Sequence, residues 1–324
     1  MACSIAIIGA GQIGYAAAIA FFTKGWDVTI HARSAPAFFE FPNHWQRYIL
    51  GEDPVPDADL VLDTIAYDEE DVARYDPDRV GKLITISSAS VYCDDQGRTL
   101  DEGREGGYPE FSEPISERQA IVTAGPQTYS TRKVRMEEKA HALFGSRSTI
   151  LRPCAIHGRY SRHPREWWFV KRLLDRRTHI PLMHKGQSQF QTSAAQTIAE
   201  FALHAADHNL SGRFNIADSD SASVLEIGQN ICAQMERDVE FVLADDGKLI
   251  GRTPWSLPHP FCVSGAKAKA HGFKGASSYA ETSTMIRWLS DHHPADWREA
   301  FPQLAVYPWD LFDYEAEDRF FATQ

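Results

Sequence analysis

The chain has 324 residues, 43% of them hydrophobic, with 33 basic residues against 44 acidic ones and a formal charge of -11. That length suits one large α/β domain with a smaller lobe. The acidic balance argues against a nucleic-acid partner, which needs a concentrated basic surface, and offers no polybasic handle for an anionic membrane.

Residues 4–8 (SIAII) read as a strand, 12–24 as a helix and 26–31 as a second strand. The apolar start has no basic residue before it and is interrupted by Gly9, Gly11, Gln12 and Gly14. It therefore reads as folded structure and not as a signal peptide. A weaker strand at 46–50 is followed by strands at 59–63 and 83–87, a helix at about 127–143 and a strand at 148–152. Short strands alternating with helices predict a parallel sheet covered on both faces. Residues 93–126 carry many acids and little periodicity, and a loop of that length is expected to be either a lid beside a site or a surface excursion.

Beyond Pro153 the texture changes. "HPREWWFVKRLLDRR" predicts a helix, as do 194–207, 223–235 and 279–290, with short strands at 212–216 and 239–243. The rest of the tail is rich in Trp, Pro and His and takes no clear assignment. The division expected is a nucleotide-binding domain over 1–153 and a mainly substrate-binding lobe over 154–324, with about 189–216 returning to the first domain. Five scattered cysteines (Cys3, Cys93, Cys154, Cys232, Cys262), none in CxxC spacing, are the pattern of reduced thiols. His204 and His208 share a helix face, but Ala205 stands where a zinc-protease motif needs Glu, and no third ligand offers itself. No metal is expected, and the protein is expected to be soluble and cytoplasmic.

"GAGQIG" places Gly9, Gly11 and Gly14 in GxGxxG spacing between a strand and a helix. The first glycine permits the tight turn, the second lets the backbone approach a pyrophosphate, and the third allows close helix–strand packing. Gln12 and Ile13 open the helix, whose free N–H groups favour phosphate. The second strand ends "IHARS". Asp27 lies at its wrong end, so no carboxylate is available for ribose hydroxyls there. Arg33 and Ser34 suit a 2′-phosphate instead, so NADP(H) is favoured over NAD(H).

"LITISSASVY" brings Ser87, Ser88, Ser90 and Tyr92 to the end of a strand, and "YSTRK" follows about forty residues later. Tyr129 and Lys133 are i, i+4 neighbours on one helix face. A phenol is a poor base at neutral pH, and an adjacent ammonium is expected to lower its pKa. The glycine motif, Ser88-Ala89-Ser90-Val91-Tyr92, Tyr129/Lys133 and Arg152-Pro153 together resemble the extended, epimerase/dehydratase-like branch of the short-chain dehydrogenase/reductase superfamily over about residues 4–215. The resemblance implies a Rossmann-type doubly wound sheet, with catalytic Ser88, Tyr129 and Lys133. It also implies a dinucleotide held by Gly9, Gly11, Gln12, Ile13, Gly14, Arg33, Ser34, Thr64, Lys133, Pro153 and Ala155, with the backbone through Cys154 and Ala155 beside the nicotinamide.

The departures from that branch narrow the activity. Ala89 and Ser90 replace the Asp-Glu pair of sugar dehydratases, and Ala155 replaces an Asn that epimerases use for a diphosphate. "GQSQFQTS" lacks their Arg-Asp stretch. Only 24 positions separate Thr64 from Ser88, so the helix that pairs across many dimers is short, and a monomer or a non-standard dimer is expected. Trp167 and Trp168, with Ser90, Tyr92 and His157, are candidate walls of a substrate pocket, although core packing suits one of the two tryptophans at least as well, and His157 and His163, both candidate contacts, better fit a structural role. The expected function is NADP(H)-dependent reduction of a ketone, or oxidation of an alcohol, in a small, partly apolar metabolite. The alternatives are a sugar or nucleotide-sugar epimerase with tightly bound NAD(P) and a non-catalytic dinucleotide sensor. The intact Ser88, Tyr129 and Lys133 argue against the sensor.

Overall fold

The computed structural model describes residues 2–36, 44–245 and 249–323. In chain order the first half runs β1 (Ser4–Ile8), α1 (Gln12–Thr23), β2 (Asp27–Ala32), β3 (Trp45–Arg47), β4 (Ala58–Asp63), α2 (Glu69–Val72) and β5 (Val80–Ile86). Then come α3 (Gly103–Gly106), α4 (Tyr129–Phe144), β6 (Ser148–Pro153), β7 (Ala155–His157), α5 (Trp167–Leu174), β8 (His179–Leu182) and β9 (Thr192–Ala194). The chain continues through α6 (Ala195–Asp207), β10 (Gly212–Ile216), α7 (Val224–Gln234) and β11 (Glu240–Leu243). Six short helices complete it: α8 (Ala266–Ala270), α9 (Tyr279–Thr282), α10 (Met285–Asp291), α11 (Trp297–Ala300), α12 (Pro302–Ala305) and α13 (Tyr314–Phe321).

Among the described residues, seven strands form one sheet in the order β3-β2-β1-β4-β5-β6-β10, every neighbouring pair parallel. The Rossmann-type doubly wound sheet expected from sequence is present. Strand order reverses between β1 and β4, and such a sheet opens a crevice at the carboxyl ends of its strands at that point. Helices α1 and α6 cover one face, burying Phe21, Ile198 and Phe201 against Ile5, Ile7 and Leu62. On the other face α4 buries Met136 and Ala140 against Val61 and Leu83. A second core gathers Trp168, Phe169, Ile231, Trp255 and Leu289 under the two-stranded sheet β8–β11 and the tail helices. No helix among the described residues is long and apolar enough to cross a membrane.

Four elements differ from the sequence expectation for identifiable reasons. The strand expected at 46–50 is an edge strand of three residues, β3, and part of the segment before it lies outside the described residues. β5 begins earlier than expected, because Val80 and Lys82 pair with Ala58 and Leu60, and the Lys82 ammonium reaches the Leu210 carbonyl at 2.5 Å. A lysine therefore sits in a strand interior by extending its stem to a polar partner. The helix expected around "REWWFVK" covers only Trp167–Leu174. The helix expected at 279–290 is two helices, interrupted where Ser283 leaves helical geometry at ψ 49°.

A buried polar network ties the sheet to α4. Glu137, wholly inaccessible, accepts from Ser87 Oγ (2.6 Å), Arg152 Nε (2.8 Å) and Nη2 (2.5 Å), and Arg213 Nε (2.9 Å). Burial raises the pKa of the carboxyl, but these donors overcome it, and the net shift is downward. One side chain thus joins α4 to β5, β6 and β10. Removing it strands two guanidinium groups, a loss of about 3–5 kcal/mol for a broken buried pair. Urea unfolding of Glu137→Ala should show that loss, and a change below about 1 kcal/mol would mean that the network is not a stabilising tie.

Candidate active site

The glycine loop sits at the end of β1, and its shape follows from what a side chain would meet there. Gly9 has φ +109°, and a Cβ on it would lie 2.3 Å from Thr64 Oγ1. A Cβ on Gly14 would lie 2.0 Å from the Gly9 carbonyl oxygen. Gly11 meets nothing within 4 Å, so its open side faces free space. It is also the N-cap of α1, with no side-chain cap and no acid in the first turn. The helix start keeps unsatisfied N–H groups and the positive end of its dipole. The Gln12 amide oxygen is buried without a partner. The glycine loop and the open helix start fit the pyrophosphate of a dinucleotide, whereas the Gln12 oxygen is an acceptor and calls for a donor.

Beside the loop lies a cavity of about 900 Å³, lined by Gly9, Gly11, Arg33 and Ser34 from the sheet side and by Tyr160, Arg162 and Trp288 from the lobe. Its described lining contains no carboxylate and two arginines, Arg33 and Arg162. Ile65 lines it in place of Thr64, whose hydroxyl is held by the Ile8 carbonyl at 2.8 Å. Ile13 turns its side chain into the core beneath α1.

A second cavity, of about 390 Å³, brings Ser88, Ser90, Tyr129, Pro153 and Cys154 together, with Gln12 at its edge. Ser88 caps the 3₁₀ turn after β5 and donates to Ser90 Oγ at 2.9 Å. Tyr129 is the first residue of α4, which starts there because Thr128 and Thr131 form a reciprocal capping box. Asp101 from the long loop accepts from Ser130 N at 2.8 Å, and Leu100 reaches the cavity wall. The 93–126 segment is therefore packed against the site over at least these residues.

Lys133 lies beneath the cavity wall, buried, with Nζ donating to the carbonyls of Ala66 (2.6 Å) and Ile86 (3.0 Å) and 5.6 Å from the Tyr129 ring centre. Asp63 builds one of those acceptors: its Oδ1 holds Ile65 N and Ala66 N at 2.8 Å each, and its Oδ2 accepts from Tyr75 at 2.7 Å. Burial lowers the lysine to about 8, opposed by Asp63, Asp71 and Glu137. The Tyr129 phenol is pushed up to about 12, first by desolvation and then by Asp101, while Ser88 pulls it down. The residue as a whole remains 40% exposed. The expected lowering of the phenol by Lys133 is not found, because the ammonium is turned to backbone carbonyls.

Several expected pocket residues lie elsewhere. Tyr92 is fully buried, with its hydroxyl on Asn215 Oδ1 at 2.7 Å and its ring under Arg152. Trp167 and Trp168 belong to the second core, where α5 is buried on consecutive positions. His157 is buried, with Nε2 2.8 Å from Asp218 Oδ2. Ala155 packs with the second core, and its neighbours Cys154 and Ile156 face the cavity. The walls that sequence reasoning missed are Arg165, Phe190 and Gln303, whereas His163, which it weighed as a substrate contact, does line the cavity. Outside the site, the His204 and His208 rings lie 4.1 Å apart, each bonded to a backbone carbonyl.

A Rossmann sheet with this lobe arrangement has the fold of the extended short-chain dehydrogenases/reductases. The chain superposes on the UDP-N-acetylglucosamine 4-epimerase of Bacillus cereus with a TM-score of 0.64, at 16% identity over 89% of this chain and 99% of that one. The dTDP-glucose 4,6-dehydratase of Bacillus anthracis, solved with NAD, gives 0.64 at 13% identity over 94% and 100%. A dTDP-4-dehydrorhamnose reductase of Clostridium acetobutylicum gives 0.59 at 17% over 88% and 99%. No family model and no curated protein sequence matches the chain. At these identities the likeness is one of fold.

The burial of Lys133 has a consequence for stability. Its folded pKa, about 8, lies below the ordinary lysine value of 10.5, so between those values the unfolded chain holds a proton that the folded chain has released. Stability then rises with pH across this window. Relative to Lys133→Met, the wild type should gain about 3 kcal/mol between pH 7 and 10.5 in denaturant unfolding. Parallel pH profiles would show that the ammonium carries no burial penalty.

Proposed function

We propose that the chain is an oxidoreductase that interconverts a carbonyl and an alcohol in a small metabolite, using a nicotinamide dinucleotide with NADP(H) favoured. The observation that carries this reading is the convergence of Ser88 and Tyr129 on one small cavity, adjoining the glycine loop through Gln12, with Lys133 directly behind. When bound, the nicotinamide supplies or accepts the hydride. Gly9, Gly11 and the first N–H groups of α1 would hold the pyrophosphate, and Arg33 and Ser34 the adenosine end. The absence of any carboxylate among the described residues lining the larger cavity, and the presence of two arginines there, supports a 2′-phosphate.

In this assignment Ser88 hydrogen-bonds the substrate oxygen and Tyr129 exchanges a proton with it. A phenol pushed up to about 12 keeps its proton at neutral pH and has one to give to a carbonyl oxygen as hydride arrives, while being a weaker acid than an ordinary tyrosine. Lys133, fixed by Ala66 and Ile86, orients the site from below. The fold likeness to epimerases names the competing reading, in which the cofactor stays bound and undergoes no net turnover. A cavity of about 390 Å³ favours a small substrate over a nucleotide sugar, since it lies at the low end of the roughly 300–1,000 Å³ of ligand pockets.

Tyr129→Phe should abolish NADPH-dependent turnover in a screen of ketones and alcohols while leaving NADPH affinity nearly intact; unchanged turnover would sink the assignment. Turnover without net NADPH consumption would instead select the epimerase reading. Arg33→Ala should weaken NADPH about ten-fold or more relative to NADH, the size of a lost charge-assisted contact. Equal weakening of both would remove the 2′-phosphate argument.

A further inference from the structure

The smaller cavity has one charged side chain in its described wall, Arg165, and no carboxylate. That is unusual within this fold. Arg152 and Arg172 are wholly buried, and each is matched to a carboxylate, Glu137 and Glu317 respectively, at 2.5 Å, whereas Arg165 is half-buried. Arg165 makes no ion pair among the described residues. Its neighbours are neutral: the guanidinium carbon lies 5.6 Å from the Phe190 ring centre, and the Tyr307 hydroxyl interacts with it. Its Nε is buried without a hydrogen-bond partner. A desolvated guanidinium N–H left unpaired is costly, and an oxyanion seated in the cavity would remove that cost.

The cavity wall holds a single cation and no carboxylate pairs with it, although the Arg165 charge does act on the neighbouring Glu166. Glu166, the adjacent residue, turns inward and meets Tyr279 at 3.3 Å. Asp218 is committed to His157 and to Ala194 N. His163 meets the Tyr307 hydroxyl at 3.1 Å, and burial together with Arg165 holds it well below its ordinary pKa, so it adds no second positive charge. Lys133 is bound to two carbonyls outside the wall. One planar fork of donors in a small neutral setting matches a carboxylate in geometry and in charge. A phosphate dianion would lack a second cation. On a chain of formal charge -11, such a local centre favours an anionic ligand in this cavity.

We propose that Arg165 anchors the carboxylate of a small oxo acid or hydroxy acid whose carbonyl or alcohol is presented to Ser88 and Tyr129. Only the placement of the carbonyl end rests on the oxidoreductase reading; the anion site stands on Arg165 itself. The test is calorimetric binding of pyruvate, acetoacetate and levulinate, each beside its methyl ester, and of dihydroxyacetone phosphate. It is run with and without NADP⁺, under which no ketone can be reduced. At least one acid should bind about ten-fold or more tighter than its ester to the wild type. Arg165→Met should erase that preference, and Arg165→Lys should retain part of it, while unchanged NADP⁺ affinity reports an intact fold. Acids binding no better than their esters, a preference surviving in Arg165→Met, or the phosphate outcompeting every carboxylate would each overturn the proposal. Failure of the hydride-transfer reading would appear separately, as absent turnover with the acid–ester preference preserved.

Discussion

The contact on which the rest of the site depends is the ion pair between Glu137 and Arg152. Neither side chain is accessible, and both are otherwise out of place in a core of Ile, Val and Leu. Buried pairs of this kind contribute little net stability over apolar packing, and their better-attested role is to select one arrangement among similar ones. Here that arrangement is the rotation of α4. Tyr129, Lys133 and Glu137 follow one another at intervals of four, which places them along one face of the helix. With Glu137 locked to β6 through Arg152, to β5 through Ser87 and to β10 through Arg213, the face carrying Tyr129 and Lys133 has to meet the carboxyl end of β5. Ser88 stands there.

The other side of Lys133 is fixed from the strand-order reversal. Asp63, at the end of β4, spends its carboxylate on two backbone N–H groups and one phenol, and so shapes the turn that presents the Ala66 carbonyl. Next to it, Thr64 packs its hydroxyl against the same glycine whose lack of a side chain lets the loop close. The nucleotide loop and the lysine are therefore two ends of one piece of geometry. A change in the turn after β4 is felt in both cavities.

Much of this was legible before the structure. The glycine spacing, the serine strand and the Tyr/Lys pair are local patterns, and their meaning survives whatever the distant chain does. What failed depended on which way a side chain faces. Trp167 and Trp168 sit in a helix with six of its eight residues buried, Trp167–Val170 consecutively, so its periodicity names no exposed face and gives no sign that the tryptophans point away from the cavity. Tyr92 was read by its nearness to Ser88, but the 3₁₀ turn between them sends it under Arg152. Arg165, Phe190 and Gln303 come from three separate segments, and nothing in their local spacing shows that they converge. The tail resisted assignment because its helices are mostly four to eight residues long, too short to carry a periodic signal.

The two cavities divide the labour between scaffold and lobe. The sheet, the glycine loop and α4 supply the parts that the fold shares with epimerases, dehydratases and reductases at 13–17% identity. Under the proposed assignment those parts restrict the chemistry more than the ligand, because a serine, a tyrosine and a lysine placed this way would serve any carbonyl brought to them. The wall opposite them is drawn from β7 onward: Ile156, His163 and Arg165 before α5, Phe190 before β9, and Gln303 in α12. Its composition is one cation, one neutral imidazole, an aromatic face and an amide. The lobe therefore holds the information about which molecule enters, and substituting its wall should change the ligand before it changes the reaction.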